Sequence, residues 1–281
     1  MMDTPKIQIL PEHLKLISEI DEFKGKWQAF RHLAPDRLAL LKRVATIESV
    51  GSSTRIEGAR LTDSEVERLL SGLKTDSFRS RDEEEVAGYA KAMALIFESY
   101  DEIRITENHL KQTHQVLLTY SKKDAHHRGA YKKFPNHVEA FDDDGRSLGI
   151  IFQTVTPFDT PLKMAELMEW FNMEWEKGET HVLLLVAIFI VYFLAIHPFQ
   201  DGNGRLSRIW TALMLLKSGY AYVPYASLER MIEDNKEQYY MALGRTQATL
   251  FMDQSTMNDW VLFFLRSLRK QISALESKIE A

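Results

Sequence analysis

Residues 197–208 read His-Pro-Phe-Gln-Asp-Gly-Asn-Gly-Arg-Leu-Ser-Arg, and several of their side chains suit phosphate chemistry. His197 is the one group in the segment able to accept a proton near neutral pH. Asp201 suits Mg²⁺, which favours one or two carboxylates together with phosphate oxygens. Arg205 and Arg208 lie on one face of a helical turn and can reach the same anion. This combination indicates transfer of a phosphorus group from a polyphosphate.

The backbone of the same segment is predicted to form an anion-binding turn. The apolar stretch 182–196 is predicted to be a buried helix, and Pro198 directs the chain out of helical geometry just after it. Gly202-Asn203-Gly204 permits positive φ, and a helix beginning there would point its free N–H groups at the turn. Alone, Gly-Asn-Gly would be more typical of a tight turn between helices. Its combination with His197 and Asp201 favours a phosphate site.

The segment resembles the Fic family motif, H-x-F-x-[D/E]-G-N-G-R-x-x-R, and matches it at every defined position. The resemblance covers residues 100–250, because the preceding helix, an upstream hairpin and Tyr239-Tyr240 with Leu243 downstream also correspond. It implies an all-α Fic fold with one β-hairpin flap over the active site. It further implies a protein adenylyltransferase, which moves AMP from ATP to a Tyr, Thr or Ser hydroxyl of a target protein. The target would dock on the flap by strand addition.

Carried over by position, the resemblance implies a role for each motif residue. His197 would take the proton of the target hydroxyl, and Asp201 would hold Mg²⁺. Arg205 would hold the β-phosphate of ATP, and Arg208 the γ-phosphate. Further phosphate contacts would come from the turn residues Gly202, Asn203 and Gly204. The adenine pocket would be formed by a downstream helix, through Tyr239, Tyr240 and Gln247. Ordinary helix packing is the alternative for Tyr239.

Residues 53–58, Ser-Thr-Arg-Ile-Glu-Gly, fit the inhibitory motif of the same family, [S/T]-x-x-x-E-[G/N], through Ser53, Glu57 and Gly58. Alone the pattern is weak, because a helix that ends in an exposed Glu57 followed by Gly58 looks the same. The resemblance implies an N-terminal inhibitory helix in which a bidentate Glu57–Arg208 pair occupies the guanidinium that the γ-phosphate needs.

Other activities stay open at this point. A glutamate at this place could also position water, so an enzyme that removes AMP, or one that does both, is an alternative. So is a regulatory module that binds ATP without turnover. Relatives with altered motifs transfer phosphate, phosphocholine or UMP, and Gly204 favours AMP among these.

The elements that must position these groups are predicted to be helical, apart from one hairpin. Asp144-Gly145 is a typical hairpin turn inside a flap at 134–155. Periodicity and capping signals predict a capping box at Thr62, a cap at Thr106, and the following helices: 36–58, 62–72, 82–100, one from 106, 161–177, 180–197, 203–218, 235–250 and 256–280. The predicted organisation is an N-terminal helical region at 1–100, the core at 101–255 and a C-terminal helix at 256–281.

Composition narrows the class of protein. The net charge of −5 argues against a general nucleic-acid binder, and the chain contains no cysteine, which excludes disulfides and thiolate sites.

The apolar stretch at 182–196 would span only ~22 Å as a helix, short of the roughly 30 Å of a bilayer core. We therefore expect a cytoplasmic protein with no membrane contact. No winged-helix segment follows the last helix before Ala281, so DNA binding is not expected, and the resemblance is compatible with a homodimer.

Other notable residues are predicted to be structural. His126-His127 with Asp124 is expected to be a solvated loop, and Asp142-Asp143-Asp144 a polar tip of the flap. His114 lies on the apolar side of its helix and is expected to be a core histidine with satisfied hydrogen bonds. The aromatic residues Trp170, Phe171 and Trp175 are expected to be core.

Overall fold

The computed structural model describes residues 7–30, 34–72, 78–141, 147–250 and 257–280, which are predominantly helical. Two strands, β1 (Val138–Phe141) and β2 (Ser147–Phe152), pair antiparallel. The helices of the described residues are α1 (Pro11–Phe30), α2 (Pro35–Ile56), α3 (Asp63–Ser71), α4 (Arg81–Ser99), α5 (Glu107–Leu117), α6 (Thr160–Lys177), α7 (Val182–Ile196), α8 (Asn203–Lys217), α9 (Leu228–Glu233), α10 (Lys236–Thr249) and α11 (Asn258–Glu280).

Most helix ends lie within two residues of the predicted ones, because the residues that cap the helices can be recognised in the sequence. The Thr62 hydroxyl accepts the Glu65 N–H, and the Glu65 carboxylate accepts the Thr62 N–H, which completes the capping box. Thr106 caps α5 in the same way. Helix α2 ends one residue before Glu57, and Gly58 follows with a φ of +103°. The inhibitory motif therefore lies at a helix terminus.

Two helices were not predicted, for different reasons. The buried positions of α1 recur every three or four residues, a pattern that periodicity could have found: His13, Leu16, Ile20, Phe23 and Trp27. Helix α9 has six residues, which is too short for any period to emerge. It packs on α2, so it matters for the seating of the inhibitory motif.

The core surrounds α7, which is buried along almost its whole length. It packs against α6, α8, α10 and α11, so apolar residues on every face have a neighbour. Trp170, Phe171 and Trp210 stand among the largest buried side chains, whereas Trp175 is half-buried. Among the described residues, no helix is long and apolar enough to cross a membrane.

The last helix docks on the first, instead of projecting away from the body. Arg266 pairs with Glu12 at 2.7 Å and Arg269 with Glu19 at 2.9 Å, which join α11 to α1. Lys278 reaches Glu48 on α2 at 2.7 Å. The N-terminal region and the C-terminal helix therefore pack together around the core.

The paired strands lie between α5 and α6. In the register of the pair, Val138 faces Phe152 and Glu139 faces Ile150, with a bulge after Val138. The predicted Asp144-Gly145 turn and the acidic run at 142–144 lie outside the described residues.

Candidate active site

The turn between α7 and α8 carries the motif, and its backbone takes two unusual conformations. His197 caps α7 with φ 51° and ψ 60°, the left-handed region, and it is the one non-glycine residue with positive φ in the described part of the chain. This conformation costs a residue with a side chain about 1 kcal/mol or more. Gly202, with a φ of +81°, then begins α8 at no such cost. The strain falls on the residue that is predicted to be the base.

The imidazole of His197 is held in one tautomer and is uncharged. Its Nδ1 lies 3.3 Å from the Leu194 carbonyl, so Nδ1 carries the proton and Nε2 keeps a lone pair. Burial lowers the pKa of His197 to about 4, the Leu194 contact opposes this shift, and the charge of Lys132 adds to it. The carboxylates of Glu57 and Asp201 act in the opposite direction. At neutral pH the ring can therefore accept a proton.

The Asn203 side chain closes the turn by binding the backbone of Phe199. Its Oδ1 accepts the Phe199 N–H at 2.9 Å, and its Nδ2 donates to the Phe199 carbonyl at 2.7 Å. The residue is buried and its amide is engaged on both sides. The family resemblance implied a phosphate contact for this side chain. In the structure both polar atoms of the amide bind the backbone of Phe199, so the side chain orders the loop.

The first turn of α8 offers N–H groups without intrahelical partners. The first main-chain bond of the helix runs from Leu206 N to the Gly202 carbonyl, so the N–H groups at 203–205 precede it. The Glu57 carboxylate lies directly against this turn. A Cβ atom added to Gly204 would be 2.1 Å from Glu57 Oε1. Gly204 is therefore needed for this close approach.

Asp201 and Arg205 belong to a closed ring of four charges that includes Arg81 and Glu85 from α4. Arg205 is buried between Asp201, at 3.3 Å, and Glu85, at 3.2 Å. Arg81 closes the ring through Asp201 at 3.1 Å and Glu85 at 2.7 Å. Burial by itself would raise the pKa of Asp201. Arg205, the Gly202 N–H and Arg81 lower it by more than burial raises it, so the pKa lies below its usual value. The carboxylate is ionised.

Arg208 is buried and binds the inhibitory motif. Its Nη2 donates to Glu57 Oε1 at 2.8 Å and to the Ser53 carbonyl at 2.9 Å, while Nε donates to Ser53 Oγ at 2.8 Å. The predicted pair is present but is not bidentate: Glu57 accepts from Nη2 alone, Ser53 accepts from Nε and Nη2, and Nη1 has no hydrogen-bond partner among the described residues. Arg205 and Arg208 were expected to reach the same anion. In the structure Arg205 pairs with Asp201 and Glu85, whereas Arg208 pairs with Glu57.

The predicted adenine residues lie on α10 behind Arg208. Tyr239 is buried against Trp260 and Phe263, with ring centroids 6.0 and 5.8 Å away. Burial raises its pKa to about 12, and Arg208 opposes that shift. The half-buried Tyr240 donates to the Ile56 carbonyl at 3.5 Å, and Gln247 is buried. Tyr239 thus packs as the alternative interpretation described, while Tyr240 contacts the end of α2.

His114 supports the turn from below. Its Nδ1 accepts the Gly129 N–H at 2.9 Å, so Nε2 carries the proton and donates to the Asp201 carbonyl at 3.0 Å. The ring stacks on Phe199 at 3.8 Å, and burial lowers its pKa to about 4. The prediction of a satisfied core histidine is confirmed.

The loop near Asp124 is less solvated than predicted. His126 is exposed, but Asp124 is buried and accepts from Ser121 Oγ at 2.5 Å. His127 Nε2 lies 3.1 Å from the other oxygen of Asp124. The prediction is wrong for Asp124, because this carboxylate organises the loop from inside.

Comparisons with known proteins agree with this fold. Residues 104–215 match the model of the Fic/DOC family. A Fic family protein from Desulfovibrio desulfuricans has a similar structure, with a TM-score of 0.79 and 26% identity, over 99% of this chain and 78% of that one. A signalling protein with a Fic domain from Bacteroides thetaiotaomicron gives 0.71 and 26%, over 92% and 97% of the two chains. These similarities define a Fic-type fold.

A curated relative, the "Protein adenylyltransferase Fic" of Drosophila mojavensis, is 26% identical over 236 residues, which are 83% of this chain and 42% of the relative. The chain therefore spans less than half the length of that relative. The segment that matches the Fic/DOC family model, residues 104–215, contains the motif turn, so the chain is similar to this family where the site lies.

Proposed function

We propose that this protein transfers AMP from ATP to a Tyr, Thr or Ser hydroxyl of a target protein. The observation that carries the proposal is the composition of one turn: an uncharged imidazole, an ionised carboxylate and the first N–H groups of a helix, with Arg208 adjoining. The name of the Drosophila relative, a protein adenylyltransferase, supports the same activity.

His197 acts as the base in the proposed reaction. Its Nε2 takes the proton of the target hydroxyl, whose oxygen attacks the α-phosphorus of ATP. The bond from the α-phosphorus to the oxygen that bridges to the β-phosphate breaks, and pyrophosphate leaves. A bound polyphosphate would raise the pKa of His197, because nearby negative charge favours the imidazolium. The base would then be stronger with substrate present than without it.

The phosphates would bind to the first turn of α8 and to Arg208. The residues present also fit Mg²⁺, since Asp201 is ionised and its side chain is about one-third exposed. When bound, the ion would neutralise charge on the phosphates. Arg81 and Arg205 both donate to Asp201 Oδ2, so their hydrogen bonds to this oxygen would weaken when the ion binds to it.

We further propose that the pair β1 and β2 is the flap on which the target docks. An antiparallel pair has two outer edges, and an extended segment of the target can add to one as a further strand. This arrangement would select a target by its backbone conformation near the modified hydroxyl.

The contact between Glu57 and Arg208 makes the protein autoinhibited in this proposal. Arg208 donates to Glu57 and Ser53 through Nη2 and Nε, so these two nitrogens are not available to a γ-phosphate while α2 keeps this position. The Glu57 carboxylate also occupies the space next to Gly204, where a phosphate would approach the N–H groups. Both effects would disfavour a productive position of ATP.

Removal of AMP is a second candidate, favoured by the place of the same carboxylate. Glu57 is about one-third exposed and lies against the N–H groups of α8, so it could orient a water molecule toward a phosphorus atom. AMP-modified protein incubated with the parent and with Glu57→Gln tests this. Release of AMP by the parent and its absence in Glu57→Gln support the candidate, and no release by either refutes it.

The test of AMP transfer uses ATP labelled on either the α- or the γ-phosphate, Mg²⁺ and the Glu57→Gly variant. We expect only the α-label to enter protein, the intact mass to rise by one AMP, and His197→Ala to take up no label. Entry of the γ-label would indicate phosphorylation instead. Calorimetric ATP binding without any change in mass would indicate a binding module.

A further inference from the structure

Lys132 is a buried cation next to the motif turn, and the proposed reaction gives it no role. Its side chain is almost wholly buried, with the residue 3% exposed. The ammonium donates to three oxygens: the Ile196 carbonyl at 3.0 Å, Asn136 Oδ1 at 2.8 Å and Thr154 Oγ1 at 2.9 Å. All three donors are used, which offsets the cost of burying the charge.

Two of these partners stand at the base of the strand pair. Asn136 precedes β1 and Thr154 follows β2, and the Thr154 hydroxyl donates to the Asn136 carbonyl at 2.5 Å. Lys132 therefore binds both arms of the hairpin at once. A cation in this position fixes the distance between the two arms.

The same group of residues holds the turn on both sides of His197. Lys132 binds the carbonyl of Ile196 through its ammonium and that of Pro198 through its backbone N–H, at 2.8 Å. Asn136 Nδ2 donates to the Phe199 carbonyl at 2.6 Å. The peptide groups before and after His197 are thus bound by one cluster.

We propose that Lys132 is a positioning residue, which with Asn136 and Thr154 locks the turn of His197 to the base of the strand pair. The inference rests on the proposed role of His197 as a base. The strained backbone of His197 needs an external constraint, and these contacts supply it. A target bound to the strand pair would then stand in a fixed relation to the imidazole.

Lys132 also sets the electrostatic environment of the imidazole. The charged groups that act on His197 are Lys132, which lowers its pKa, and Glu57 and Asp201, which raise it. Burial lowers the pKa of Lys132 to about 8, so the ammonium remains mostly charged at neutral pH. Loss of this cation should raise the pKa of His197.

The experiment compares Lys132→Met, Lys132→Arg and Thr154→Val in the Glu57→Gly background, with the exposed neighbour in Lys133→Met as the matched control. Initial rates of self-labelling with α-labelled ATP give kcat and the KM for ATP. We expect Lys132→Met to lower kcat about tenfold or more, the loss expected from about 1.4 kcal/mol of transition-state stabilisation. The KM should change by less than about twofold, because Lys132 contacts no proposed phosphate ligand. Lys132→Arg should restore part of kcat, and Thr154→Val should lower it less than Lys132→Met does.

A second readout needs no activity and separates positioning from a general loss of stability. The imidazole of His197 is titrated by NMR and assigned through its absence in His197→Asn. In Lys132→Met its pKa should rise, and in Lys133→Met it should stay at the parent value. If Lys132→Met does not fold, Thr154→Val carries the measurement of kcat, because it weakens the contact to the strand pair while it keeps the charge of Lys132.

The outcomes distinguish the two levels of inference. An active Glu57→Gly parent with unchanged kcat and unchanged His197 pKa in Lys132→Met would overturn the positioning role alone. A parent that binds ATP but transfers no AMP would overturn the proposed function, and the NMR titration would still test the link between Lys132 and His197.

Discussion

The substitution Glu57→Gly tests whether α2 restrains the site, as proposed. Glu57 follows the last residue of α2 with φ −89° and ψ 4°, and glycine tolerates such a conformation at a helix end. The change removes one carboxylate, leaves Ser53 on Arg208 and should alter the fold little. The free energy of unfolding is therefore expected to fall only by the contribution of the lost contact to Arg208, about 1–2 kcal/mol.

The size of the effect follows from the contact that is lost. One charge-assisted hydrogen bond joins Glu57 to Arg208 at 2.8 Å, with side chains 33% and 3% exposed. Such bonds contribute about 1.5–3 kcal/mol, and the exposure of the carboxylate reduces this to about 1–2 kcal/mol. If this energy opposes productive ATP binding, the rate should rise about fivefold to thirtyfold at limiting ATP.

The assay measures initial incorporation of α-labelled ATP into protein, together with the midpoint of thermal unfolding. Glu57→Gln is the matched control, since it keeps the shape and removes the charge, and it should give an intermediate rate. A Glu57→Gly rate equal to that of the parent, with ATP binding intact, would refute the inhibitory role of the contact.

Four further predictions concern the same site and its support. His197→Ala should abolish AMP transfer while calorimetry still detects ATP binding. Gly204→Ala places a methyl group on Glu57 Oε1, so it should destabilise the parent measurably and destabilise Glu57→Gly much less, as a double-mutant cycle in urea would show. Arg55→Met removes the 2.6 and 3.0 Å hydrogen bonds between Arg55 on α2 and Glu233 on α9. It should lower the free energy of unfolding by about 1–3 kcal/mol and raise the rate of labelling above that of the parent. Burial lowers the pKa of His114 from 6.5 to about 4, so the folded state binds fewer protons than the unfolded state. This residue should therefore lower the free energy of unfolding by about 3 kcal/mol as the pH drops from 6.5 to 4. The loss should be smaller in His114→Asn, whereas the exposed His126→Asn should lose as much as the parent. Equal pH dependence in all three proteins would contradict this last prediction.

The sequence was informative where a local rule determines the structure. The cap at Thr62, the proline after α7 and the glycines of the motif each act within a few residues, and the helices they limit were predicted closely. The proximity of Glu57 to Arg208 was predicted too, although 151 positions separate them. That prediction came from family resemblance, since no local rule connects the two residues.

The sequence was uninformative where contacts of the motif turn join residues that are distant in the chain and belong to no motif. Arg81 and Glu85 read as an ordinary ion pair on a helix surface, and nothing local indicates that they enclose Asp201. Lys132 and Asn136 lie in a stretch with no regular period, so their contacts to the turn appear only in three dimensions. The amide of Asn203 was assigned to a ligand because its competing partner, the backbone of Phe199, depends on the exact turn.

The clamp on Phe199 has a consequence for the energetics of ligand capture. Both backbone polar groups of Phe199 are already bound: the N–H by Asn203, and the carbonyl by Asn203 and Asn136. Ordering a flexible loop around a ligand costs conformational entropy for every residue it immobilises. Here that cost is met during folding, so a nucleotide that reaches the turn would encounter a rigid receptor and spend little of its binding energy on shaping it.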